Sequence, residues 1–219
     1  MKHLLITGAS GYVGKAFINA FGARYHIRLF GRTAVEGYEF AKGDIKSMED
    51  LERAAKDVDV IVHLAAATTD GTGISDLEYF QTNAVGTFNV LEAAVRNKIK
   101  KVVYGSSVCA VGFRATSQLI METDRCEPSD GMYGYSKYLS ERLCEHYAEK
   151  YGIHIICLRT AMVVPQHELV ISPNPFASHW LGAVHIEDVI EALRLAVENE
   201  TIRFDIFHIA ADNPCSKFD

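Results

Sequence analysis

Short aliphatic and β-branched runs alternate along this chain with longer stretches whose apolar residues recur at three- and four-residue spacing. The first run predicts a strand over residues 2–7, and the stretch after it a helix over 12–23. Further strands are predicted at 26–30, 58–64, 101–106, 154–159 and 205–209, and further helices at 47–56, 76–96, 132–151 and 187–198. Within helix 76–96, Leu77, Phe80, Phe88, Leu91 and Val95 predict a buried stripe. Strand–helix alternation of this kind reads as repeated βαβ units, and nearly continuous apolar strands are those of a parallel sheet covered on both faces. The fold class expected is therefore α/β, doubly wound.

Residues 163–181 stand apart, with Pro165, Pro173, Pro175 and the only tryptophan but no clear periodicity. They predict a loop over a binding site and a minimal substrate lobe. No repeat or linker divides the chain, so residues 1–219 are expected to form one domain. The sequence stops after Pro214-Cys215-Ser216-Lys217-Phe218-Asp219 without another element, and an incomplete C-terminus is expected.

Composition narrows the functional classes. Hydrophobic residues make up 48% and charged residues 23%, close to the globular average. The net charge of -6 repels a phosphate backbone, so nucleic acid is not an expected partner. Cys109, Cys126, Cys144, Cys157 and Cys215 are odd in number and scattered, which fits a reducing cytoplasm rather than a disulfide framework. The apolar run before Gly8 is too short for a signal peptide, and no run reaches the ~20 residues of a membrane span. His167, His179 and His185 lack metal-site spacing.

The first chemistry-bearing motif is Thr7-Gly8-Ala9-Ser10-Gly11-Tyr12-Val13-Gly14, between the first strand and the first helix. In that position Gly8 permits a tight turn, Gly11 lets the backbone approach a pyrophosphate, and Gly14 lets the helix pack on the strand. Ser10, Tyr12 and Val13 complete the candidate cofactor turn, whose N–H groups and helix dipole favour an anion. This is the fingerprint of a Rossmann-type dinucleotide site. The second strand ends at Leu29-Phe30-Gly31-Arg32-Thr33, without the carboxylate that would bond a ribose 2′-hydroxyl. Arg32 suits a 2′-phosphate, so NADP is expected, with NAD as the alternative.

Tyr133 and Lys137, four residues apart on a predicted helix, share one face. An adjacent ammonium favours the phenolate of a tyrosine whose ordinary pKa is ~10. With the motifs Gly43-Asp44-Ile45, His63-Leu64-Ala65-Ala66, Asn83-Ala84-Val85-Gly86-Thr87, Val103 to Gly112, Tyr133-Gly134-Tyr135-Ser136-Lys137 and Val184 to Val189, the chain resembles extended short-chain dehydrogenase/reductases of the epimerase/dehydratase branch. The resemblance implies that Asp44 and Ile45 flank the adenine and that Leu64, Ala65 and Ala66 line the cofactor path. It implies Ser107, Tyr133 and Lys137 as the catalytic residues, with Lys137 also on the nicotinamide ribose and Asn83 orienting backbone or relay groups. It further implies a homodimer through helices 76–96 and 132–151.

The segment between Arg159 and Val184 is shorter than in sugar-nucleotide enzymes of the branch, so the compact form looks similar to uronate dehydrogenases. Val108-Cys109 nevertheless replaces the Asn-His pair of those enzymes, and no arginine lies between Thr160 and Leu193 to hold a carboxylate. The function expected is an NAD(P)-dependent oxidoreductase acting on a small hydroxyl- or carbonyl-bearing molecule, such as a sugar or its lactone. The alternatives are a sugar-nucleotide epimerase or dehydratase, and a non-catalytic cofactor-sensing protein.

Overall fold

A computed structural model describes residues 1–68, 73–112, 119–165 and 183–211. Its centre is a seven-stranded sheet in the order β3-β2-β1-β4-β5-β6-β9, parallel at every pairing. The strands are β1 (His3–Thr7), β2 (His26–Gly31), β3 (Glu39–Lys42), β4 (Val60–His63), β5 (Lys101–Ser107), β6 (His154–Thr160) and β9 (Phe204–Ile209). β7 (Met162–Val164) and β8 (Ala183–His185) pair as a separate parallel ribbon.

The period of two in the strands divides the core. Leu4 and Ile6 of β1, Val60 and Val62 of β4, and Ile156 and Leu158 of β6 point to one face. There they meet Phe17 and Ile18 of α1 (Tyr12–Phe21) and Val189, Ile190 and Leu193 of α6 (Ile186–Glu198). Leu5, Ile61, Ile155 and Cys157 point the other way. They pack on α2 (Met48–Ala54), α4 (Gly86–Arg96) and α5 (Met132–Tyr151). Both faces are thus covered, and full burial of each aliphatic side chain contributes roughly 1.5–3 kcal/mol. The expected doubly wound, Rossmann-type architecture is what the chain adopts.

Local signals account for several element ends. Ser47 Oγ accepts the Asp50 N–H at 3.3 Å to cap α2, whose first turn holds Glu49 and Asp50. α5 stops where Gly152 takes φ 67° and returns its N–H to the Ala148 carbonyl.

Four expectations need correction. β3 escaped the sequence reading because Glu39-Phe40-Ala41-Lys42 is a short edge strand with exposed charged ends. β7 takes the beginning of the segment expected to be all loop; residues 166–182 lie outside the described part, as do 212–219. Helix 76–96 is continuous but not uniform, running as α3 (Asp76–Tyr79), a π-helical stretch over Phe80–Val85, and α4. Its expected stripe is wrong: Leu77, Phe80 and Phe88 are 62%, 42% and 40% exposed, while Leu91 is buried and Val95 partly so. The buried face is built instead from Asn83, Ala84, Gly86, Thr87, Val90, Leu91, Ala93 and Ala94. The wider π turn shifts the phase of the pattern, and small residues let α4 lie close to its neighbours.

Candidate active site

The glycine turn follows β1, and Leu64–Ala67 follows β4. These are the neighbouring strands at which the order reverses, where open parallel sheets bind ligands. Gly8 has φ +74°, and a Cβ there would stand 2.5 Å from the Ala65 nitrogen and 2.6 Å from the Leu64 carbonyl carbon. No side chain fits, so the two crossovers approach through backbone alone. Gly11 donates to the Gly8 carbonyl at 3.0 Å and opens α1, which has neither a side-chain cap nor an acidic residue in its first turn. Ser10, Gly11 and Tyr12 are exposed, Val13 is half-buried, and Gly14 packs on the backbone of Gly8 and Ala9. A dinucleotide pyrophosphate fits this cradle, since the first-turn N–H groups of α1 have no side-chain cap and no acidic neighbour there, and the glycines leave room for close approach.

Across the edge, Arg32 is exposed just beyond β2. Thr82 and Lys46 hydrogen bonds hold the Glu78 carboxyl below its ordinary range, and the Arg32 charge adds to the effect. Asp44 Oδ1 accepts the Lys46 N–H at 2.9 Å, and Ile45 is buried against Gly86.

Beneath the turn runs a buried chain of hydrogen bonds. Thr87 donates its one hydroxyl proton to the Asn83 carbonyl at 2.6 Å, so its oxygen receives from His63 Nε2 at 3.1 Å. His63 Nδ1 is then an acceptor, taking the Thr7 hydroxyl at 2.8 Å, and Thr7 in turn receives the Ala65 N–H at 3.1 Å. The chain fixes the tautomer. Burial pushes the His63 pKa down to about 3, with the Lys137 charge acting in the same direction, and the ring stays neutral. Asn83 closes the arrangement: its Oδ1 accepts the Ala67 N–H at 2.8 Å, while Nδ2 donates to the Ala67 carbonyl at 3.1 Å and to Ser136 Oγ at 2.9 Å. It thereby clamps the half-buried Leu64–Ala67 wall.

α5 starts after two residues with positive φ, Asp130 (57°) and Gly131 (58°), which set Tyr133 in its first turn. The half-buried Tyr133 ring meets Tyr79 edge-on, with centroids 5.9 Å apart. One turn further, Lys137 is buried; its Nζ donates to the Gly105 carbonyl at 2.9 Å and lies 6.0 Å from the Tyr133 ring centroid. Burial pushes the Lys137 pKa down to about 8, while the Glu141 charge opposes that shift. Ser107 ends β5, and its Oγ accepts the Cys109 N–H at 3.2 Å. Gly134 brings this segment to α5, because a Cβ there would stand 1.9 Å from the Ser129 carbonyl oxygen and 2.7 Å from that of Cys109.

Ser106 faces elsewhere and donates to Glu141 Oε1 at 2.6 Å. Glu141 also takes a forked pair from Arg159, Nε to Oε1 at 2.9 Å and Nη2 to Oε2 at 2.8 Å, with both side chains buried. This ion pair and the Thr7–His63–Thr87 chain are what sequence reasoning missed. Their residues stood inside or beside quoted motifs, but one sequence does not tell which buried polar groups meet.

The described residues thus bring Ser107, Tyr133, Lys137 and Asn83 to the carboxyl end of the sheet near the glycine turn. Residues 4–184 match the NAD dependent epimerase/dehydratase family. The L-arabinose 1-dehydrogenase (NAD(P)(+)) of Haloferax volcanii is 25% identical over 214 residues, 90% of this chain and 83% of its own. A UDP-glucose 4-epimerase of Halalkalibacterium halodurans is 26% identical over 166 residues, 71% of this chain but 49% of its own. Among solved structures, a mutated uronate dehydrogenase superposes with a TM-score of 0.85 at 26% identity, covering 100% of this chain and 77% of that one. The glycine cradle at the strand-order reversal and a match that runs from β1 to β8 lead to one conclusion: this chain belongs to the NAD dependent epimerase/dehydratase family.

Proposed function

We propose that the protein is an NAD(P)-dependent dehydrogenase that interconverts a hydroxyl and a carbonyl on a small sugar or its lactone. The observation that carries this reading is Lys137, buried one helical turn beyond Tyr133 and tied to the strand that ends at Ser107. Ser107 and Tyr133 bind the substrate oxygen, and Tyr133 takes its proton in oxidation and returns it in reduction. The Lys137 ammonium stabilises the phenolate and bonds the nicotinamide ribose. When bound, the dinucleotide supplies the hydride acceptor or donor. Gly8, Gly11, Gly14 and the N–H groups of Ser10, Tyr12 and Val13 would hold its pyrophosphate, with Asp44 and Ile45 flanking the adenine and Leu64, Ala65 and Ala66 lining the cofactor path. Arg32 receives a 2′-phosphate, which makes NADP the preferred form over NAD.

Similarity to the arabinose dehydrogenase runs over 90% of this chain and similarity to the UDP-glucose epimerase over 71%, which supports the dehydrogenase reading. A cofactor-sensing role without catalysis would not call for Ser107, Tyr133 and Lys137 together. The protein works in a reducing cytoplasm, as one domain, and pairs as a homodimer. Exposed Leu77, Phe80 and Phe88 on α3 to α4, with Tyr135 and Leu139 on α5, supply an apolar face for that pairing.

The test is a screen of aldoses, uronates and aldonolactones that follows reduced cofactor by absorbance with both NAD and NADP. Stoichiometric cofactor turnover with a small sugar is expected. Conversion of a sugar nucleotide without net cofactor reduction would replace the dehydrogenase reading with the epimerase one.

A further inference from the structure

At the opposite, amino-terminal edge of the sheet an open groove of about 610 Å³ lies between the starts of β1, β4, β5 and β6. Its most unusual feature is Lys101, the first residue of β5, which is 6% exposed and whose Nζ has no hydrogen-bonding partner among the described residues. An ammonium shut away from water without an acceptor is costly, and proteins normally pair it. Burial pushes the Lys101 pKa down to about 8; the nearby Lys2 charge adds to the push and Glu200 opposes it.

The other charges of the groove are unevenly engaged. Glu200 is taken by Lys2, Nζ to Oε1 at 3.1 Å, and Asp59 Oδ2 accepts the His3 N–H at 2.8 Å. Lys98 and Lys100 are exposed and make no ion pair among the described residues, and His154 lines the same groove. Against two acids, Asp59 and Glu200, the groove sets four lysines, Lys2, Lys98, Lys100 and Lys101, so its lining carries a net positive charge on a chain whose net charge is -6.

We propose that this groove binds a small oxyanion of the phosphate class, free or carried on a small metabolite, with Lys101 as its buried cation and Lys98 and Lys100 as its rim. The anion supplies the acceptor that the fold withholds from Lys101. The site lies at the end of the sheet away from the glycine turn, so it is separate from the cofactor pyrophosphate cradle.

The test uses protein saturated with dinucleotide, titrated with inorganic phosphate or with a sugar phosphate while chloride holds ionic strength constant. Thermal unfolding and calorimetry are read for the wild type, Lys101→Met and Arg32→Ala. A rise in Tm with either ligand is expected in the wild type and in Arg32→Ala, with affinity at least tenfold weaker in Lys101→Met. Response to inorganic phosphate identifies the free ion as sufficient; response to the sugar phosphate alone identifies a phosphorylated metabolite. Lys101→Met should fold at least as stably as the wild type in chloride, because it removes an uncompensated buried charge. No rise in the wild type, or a full rise in Lys101→Met, overturns the proposal.

Discussion

Lys137 of α5 donates to the carbonyl of Gly105 on β5 at 2.9 Å, so the ammonium beside Tyr133 is anchored to the strand that ends in Ser107. With the Ser106–Glu141 bond one turn further along α5, this contact holds the helix-borne and strand-borne halves of the candidate centre in register. Tyr133→Phe keeps the ring but deletes the transferable proton, and turnover should fall by ~100- to 10,000-fold with cofactor affinity nearly unchanged. Lys137→Met should impair both. Steady-state kinetics with cofactor titrations decide, and near-normal turnover in Tyr133→Phe would remove the mechanism.

Asn83 spans from the π-helical stretch to both backbone polar groups of Ala67. Asn83→Ala leaves the half-buried N–H and carbonyl of Ala67 without that partner, each worth up to about 1–3 kcal/mol. A stability loss of roughly 3 kcal/mol is expected, together with a raised KM for the cofactor as the Leu64–Ala67 wall slackens. Denaturant melts and kinetics on one preparation test both, and a variant unchanged in stability would contradict the clamp.

The neutral His63 predicts acid sensitivity. Burial holds its pKa near 3 against an ordinary value of 6.5, so the unfolded chain takes up a proton in that window that the native chain refuses. Stability should fall as pH drops from 6.5 towards 3, with this group contributing up to ~1.4 kcal/mol per pH unit. His63→Asn, although less stable at neutral pH, should lose that part of the slope. Urea unfolding at several pH values between 6.5 and about 4.5 reads the difference; parallel slopes for the two proteins would refute it.

Cofactor choice rests on Arg32. Arg32→Ala should weaken NADP at least ~10-fold while changing NAD little, because a guanidinium meets a phosphate with two charge-assisted hydrogen bonds. Calorimetry with both dinucleotides measures it, and tighter binding of NAD than NADP by the unmodified protein would reverse the assignment.

Assembly is testable on the exposed Leu139 of α5. The wild type should show a dimeric mass at micromolar concentration, and Leu139→Glu a monomeric one, since a charge placed in an apolar interface must be desolvated. Light scattering on both proteins settles the matter, with a monomeric wild type counting against the pairing.

The sheet was legible because its period-two runs are strongly apolar: β1, β4, β5 and β6 begin and end within two residues of their expected limits. α5 matches its expected bounds, 132–151. The glycine turn was legible because steric demand at Gly8 allows no alternative residue. What stayed hidden depends on partners distant in sequence. His63 and Thr7 are 56 residues apart, and Glu141 and Arg159 18. The misjudged stripe of helix 76–96 had another cause: Leu77, Phe80 and Phe88 satisfy the helical period yet point outward, and the small residues that pack leave little hydrophobic signal.

The π-helical stretch has a consequence for length rather than composition. A π turn holds one residue more than an α turn, so a π stretch inside an α-helix admits a surplus residue while the segments on either side keep their phase. Deleting one residue between Phe80 and Val85 would let the backbone return to the regular form, leaving Thr87 under His63 but taking from Asn83, inside the stretch, the placement that reaches Ala67. The surplus residue thus serves to place the Asn83 contact, so apart from Asn83 this segment should tolerate exchange of its residues better than a change in their number.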